Sequence, residues 1–95
     1  MRLRLSRRAQ GDLDGVRDYT VEHYGTARAI LYLDVIEQGF RRILAYPQIG
    51  AAQPEVKTGL QSLSAGEHRL WYRVESEEIV ILRVLHKAMD PARHL

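Results

Sequence analysis

Residues 59–86 read GLQSLSAGEHRLWYRVESEEIVILRVLH, and two apolar strands within them decide the fold. One strand runs over about 68–75 and the other over about 78–86, joined as an antiparallel hairpin by Glu75-Ser76-Glu77-Glu78. The first alternates: His68, Leu70, Tyr72 and Val74 point one way, and Arg69, Trp71 and Arg73 the other. In the second, Val80, Leu82, Val84 and His86 share one face; Ile79, Ile81, Arg83 and Leu85 share the opposite one. Both faces of that strand are largely apolar, as in a strand covered on both sides.

Working outward, Arg2-Leu3-Arg4-Leu5 alternates as a short strand, with Ser6 at an N-cap position. A helix follows to about Tyr24, with Ala9, Leu13, Val16, Thr20 and Tyr24 forming its apolar stripe. Gly11 and Gly15 weaken that helix, which suggests close packing against a second helix, with Gly39 facing them. Gly25 reads as its C-cap. Thr26 caps a second helix to about Tyr46, striped by Ala29, Leu33, Ile36, Phe40, Ile43 and Leu44. Leu31, Tyr32 and Val35 lie beside the stripe, so this helix is apolar around more than a third of its girth. The one-residue gap forces the two helices into an antiparallel hairpin. Residues 47–58 form a loop, a strand follows over about 60–64, and Pro91 starts one helical turn after Asp90.

The order is therefore β-α-α-β-β-β: an α+β single domain over 1–95, with a two-helix hairpin packed on one face of a small, mainly antiparallel sheet. Two helices roof one side only. The far face, with Trp71, Ile79, Ile81 and Leu85 among Arg69, Arg73 and Arg83, is expected to lie open and to bind a partner. Arg93, His94 and Leu95 form a polar tail beside that face and could reach across it; a frayed end is the alternative.

Composition narrows the function classes. The 95 residues are 45% hydrophobic and 27% charged, with no cysteine for a disulfide or thiolate metal site. Net charge is +2, and of 14 basic residues only Lys57 and Lys87 are lysines. MRLRLSRRAQ is basic without an apolar h-region, and no apolar run approaches a membrane span, so a cytoplasmic protein is expected. His23, His68 and His94 show no ligand spacing, so no metal is expected. His86 ends the last strand, either as a general acid or base or as a histidine bonded to the C-terminal segment. No phosphate loop or nucleophile elbow is present.

SRRAQGDLDGVRDYTVEHYG, PQIG and above all GLQSLSAGEHRLWYRV and IVILRVLHKAMDPARHL resemble the ParE toxins of the ParE/RelE superfamily, over essentially the whole chain. The resemblance implies a bacterial type II toxin that inhibits DNA gyrase, and so replication, without catalysis or cofactor. It also implies neutralisation by a ParD-like antitoxin, through which alone operator DNA is met. Arg69, Trp71, Arg73, Ile79, Ile81, Arg83, Leu85, Arg93, His94 and Leu95 are then the candidate contacts with antitoxin or gyrase. The alternative relatives are RelE-like ribosome-dependent mRNA endonucleases, for which Arg69, Arg73, Arg83 and His86 would be catalytic. Arg69 matches a sheet arginine that such nucleases use on phosphate. No tyrosine follows Tyr72, so the nuclease set reads as incomplete.

Overall fold

The computed structural model describes residues 1–95. The chain runs β1 (Arg2–Leu5), α1 (Arg7–Tyr24), α2 (Thr26–Ala45), β2 (Ala51–Ala52), β3 (Leu60–Ala65), β4 (His68–Val74) and β5 (Glu78–His86), and closes with one helical turn at Pro91–Arg93. One five-stranded sheet has the order β1-β5-β4-β3-β2. Only the β1–β5 pair is parallel. The two-residue strand β2, inside what the sequence reads as a loop, is the one element that periodicity misses; two residues carry no period.

Ser6 links strand to helix in two ways. Its hydroxyl accepts from the Ala9 N–H at 3.0 Å, the expected N-cap, and donates to the Leu82 carbonyl at 2.8 Å. The start of α1 is thereby fixed to β5 just where β1 ends. Gly25, at φ 90°, ends α1 through its N–H on the Val21 carbonyl and also occupies the N-cap position of α2. Thr26 is therefore the first residue of α2 rather than its cap, and no side chain caps that helix.

The main core lies between hairpin and sheet. Ile36, Phe40 and Ile43 of α2 meet Leu70, Tyr72, Ile79, Ile81 and Val84, with Ala9 from α1. Gly39 faces Leu70 and Ala65 of the sheet, where a Cβ would come within 2.7 Å of Leu70, and not the glycines of α1. Tyr72 is fully buried, and its hydroxyl donates to the Pro47 carbonyl and accepts from the Gly50 N–H, both at 2.8 Å. That pair of bonds pins the Pro47–Gly50 segment onto the sheet. A Cβ at Gly50 would sit 2.5 Å from the same hydroxyl, so the close approach demands glycine.

β5 departs from strict alternation. Tyr72 stands opposite Ile81 and Trp71 opposite Arg83, which leaves Leu82 as an extra residue in a β-bulge. Alternation restarts after the bulge, so Ile79, Ile81 and Val84 all face the helices and Leu82 and Leu85 face away. The expectation that Ile79 and Ile81 lie on the far face is corrected accordingly: both are fully buried beneath the hairpin.

The far face is not open. Trp71 and Leu85 are buried there with Leu60 in a second apolar cluster, at 4% and 2% exposure, with Val56, Leu82 and Leu95 packed against it. Val56 comes from the irregular loop between β2 and β3, and Leu95 from the tail. Arg83 holds the tail by donating to the His94 carbonyl at 2.7 Å, and within the tail Asp90 caps the helical turn by accepting from the Ala92 N–H at 3.0 Å. A loop and a helical turn thus supply the second cover, and the surface predicted to receive a partner through Trp71 and Leu85 is filled by the chain itself.

Candidate binding groove

The apolar surface that remains open is on the helix side. α1, α2, the start of β4 and the end of β5 together bound a groove of about 890 Å³. Gly11 and Gly15 line its α1 wall, and nothing lies within 4 Å of where their Cβ atoms would be. They do not pack against α2, as expected from sequence; they leave bare backbone facing the groove. Tyr19 and Tyr24 continue that wall, at 57% and 65% exposure, opposite Leu31 and Val35 of α2 at 66% and 41%. Tyr24 and Leu44, assigned to the inward stripes, are both exposed. The sequence signal for this groove was the excess apolar girth of α2, beyond what one sheet face can cover.

The floor is polar and tightly bonded. The Tyr32 hydroxyl accepts from the Glu67 N–H at 2.9 Å and shares a hydrogen bond with Nδ1 of His68. Gly66, at φ 61°, makes the turn that brings β4 back under this tyrosine, whose ring lies 2.9 Å from where a Cβ would stand. His68 and His86 meet edge to face at 5.4 Å. Burial and then the His86 charge push the His68 imidazole below the ordinary histidine range, and burial raises the Tyr32 hydroxyl. Glu67, bonded to Lys87 at the rim, is held below the usual carboxylate range.

Asp12 anchors one end of the floor. Its carboxylate accepts bidentately from Arg83, at 2.8 Å on each oxygen, and takes the Val84 N–H at 2.9 Å. The pair is only 11% and 15% exposed and joins α1, β5 and, through the His94 carbonyl, the tail. The Asp12 carboxylate raises the Arg83 guanidinium further above its ordinary value.

The four residues of the nuclease alternative do not converge. Arg83 is spent on Asp12, Arg73 on Glu75 at 2.9 Å, and Arg69 lies on the far face against serine hydroxyls. His86 faces the groove, with Nδ1 accepting from the Ala88 N–H at 3.1 Å, the bond to the C-terminal segment foreseen as its alternative. No three His, Asp or Glu side chains gather as a metal-ligand set. No helix is long and apolar enough to cross a membrane.

Comparison with known proteins agrees with this architecture. Residues 3–91 match the family described as "ParE toxin of type II toxin-antitoxin system, parDE". Toxin ParE1 of Mycobacterium tuberculosis is 40% identical over 92 residues, covering 96% of this chain and 94% of the relative. A solved chain of the chromosomal ParDE TA system from P. aeruginosa superposes with a TM-score of 0.79 at 27% identity, covering 90% of this chain and 95% of that one. A chain of the toxin–antitoxin complex RelBE2 from Mycobacterium tuberculosis covers the same shares, with a TM-score of 0.65 at 26% identity. The helix hairpin on its five-stranded sheet is thus the RelE/ParE fold, and the chain belongs to the ParE family of toxins in type II toxin–antitoxin systems.

Proposed function

We propose that this toxin inhibits DNA gyrase in the cytoplasm without chemistry of its own, and that a ParD-like antitoxin neutralises it by laying an amphipathic segment into the groove between α1 and α2. The observation that carries the docking part is the groove itself: exposed Tyr19, Tyr24, Leu31 and Val35 around a bare-backbone wall at Gly11 and Gly15. An amphipathic helix buries its apolar face in such a surface. The dispersal of Arg69, Arg73, Arg83 and His86 supports inhibition over RNA cleavage. Operator DNA is met only through the antitoxin.

Two experiments test this. Purified protein added to gyrase and supercoiled plasmid should accumulate gyrase-dependent linear product; intact plasmid over a wide dose range rejects the gyrase reading. Gly15→Leu places a side chain on the groove wall, where its Cβ meets nothing within 4 Å, and replaces a helical glycine, so it should raise stability by about 1 kcal/mol while abolishing co-purification with the cognate antitoxin. A Gly15→Leu protein that still binds antitoxin rejects the groove as its site.

A further inference from the structure

We propose that Arg69 is a receptor for a single carboxylate, presented by an acidic segment of a protein partner on the face of the sheet opposite the groove. Among the 14 basic residues, Arg4, Arg17, Arg41, Arg73, Arg83, Lys87 and Arg93 each pair with a carboxylate. The others, apart from Arg69, are exposed. Arg69 alone is partly withdrawn from water with no acid to balance it.

Its position is fixed nonetheless. Nη2 donates to Ser62 Oγ at 2.7 Å and Nη1 to Ser64 Oγ at 3.3 Å, and the guanidinium carbon lies 5.7 Å from the centre of the Trp71 ring. Ser62 Oγ also accepts from Gln53 Nε2 at 3.4 Å. The serines act here as acceptors, and the hydroxyl hydrogen of neither is spent on an acceptor. The cluster is therefore a set of oriented donors around one uncompensated charge, and what it lacks is an anion. Trp71, Leu60 and Leu85 beneath it are buried by the loop and tail, so the guanidinium cannot swing down to another partner.

The kind of anion follows from the neighbours. A nucleic-acid strand needs a row of free cations along its phosphates. On this face Arg73 is neutralised by Glu75 and Arg83 by Asp12, which leaves Arg69 and the exposed Lys57 of the covering loop. A planar fork with one flanking exposed hydroxyl, at Ser64, matches one carboxylate. Arg83 on the next strand already shows that solution, bidentate on Asp12.

Trp71 is the only tryptophan, so its emission reports on Arg69 directly. The full chain is titrated at low salt with a heptaglutamate peptide and, separately, with a thymidine heptanucleotide. The peptide should change the emission, and Arg69→Gln should weaken that response at least tenfold with the melting temperature unchanged; Arg69→Lys, which keeps the charge but loses the fork, should fall between. Should Arg69→Gln unfold, Ser64→Ala at an exposed position carries the test, with an expected loss of about threefold. The proposal is overturned if the peptide gives no response, if the response survives in the variant used, or if the oligonucleotide binds more tightly than the peptide in an Arg69-dependent way.

Discussion

The two faces of the sheet are finished by different means. On one, a regular helix hairpin covers the strands and still leaves a groove of about 890 Å³ beside them. On the other, an irregular loop and a C-terminal tail cover the strands so well that Trp71 is 4% exposed. Counting helices therefore located the open surface on the wrong side. Burial depends on apolar atoms meeting apolar atoms, and Val56 and Leu95 do this without belonging to any long element. A regular helix, conversely, carries apolar residues round its whole girth when its sequence says so, and those that miss the sheet stay outside.

That contrast can be broken by experiment. Trp71→Ala should have the largest effect, a loss of about 3–5 kcal/mol in denaturant unfolding, because the site is a core. Were the far face a free docking surface, the same change would spare stability. Asp12→Ala should cost about 3 kcal/mol by leaving Arg83 partly buried without its carboxylate, and should raise proteolysis of the tail, which hangs from the same guanidinium. Tail protection unchanged from the parent would show that Leu95 holds without Arg83.

The smallest expected effect concerns pH. The folded chain holds the His68 imidazole below its unfolded value of 6.5. Between that value and the lower folded one, the unfolded chain binds more protons, so folding stability declines as the pH falls from 6.5 and this contribution then levels off. Paired unfolding curves of the parent and His68→Gln across that range should converge towards acid; parallel curves would mean that the groove floor does not disfavour the charged ring.

Much of the architecture was legible along the chain. Three-to-four spacing placed both helices, period-two alternation placed β4, and Ser6 and Gly25 marked helix ends to the residue. The Pro47–Gly50 segment stood out as a loop, but its purpose appears only with Tyr72, whose hydroxyl it surrounds. The groove was half-written in Leu31 and Val35; its glycine wall was not, since a small residue implies close packing and open space equally well.

The order of elements, their types and the hairpin between α1 and α2 follow from the sequence alone, because periodicity and caps are local properties. The family resemblance was likewise carried by local runs of residues. What tertiary structure alone decided was which side the residues on either side of the bulge at Leu82 face, and which side of the sheet stays uncovered. One extra residue in a strand reverses every side chain beyond it, and a cover made of loop and tail has no period to read; both are settled only when distant parts of the chain come into contact.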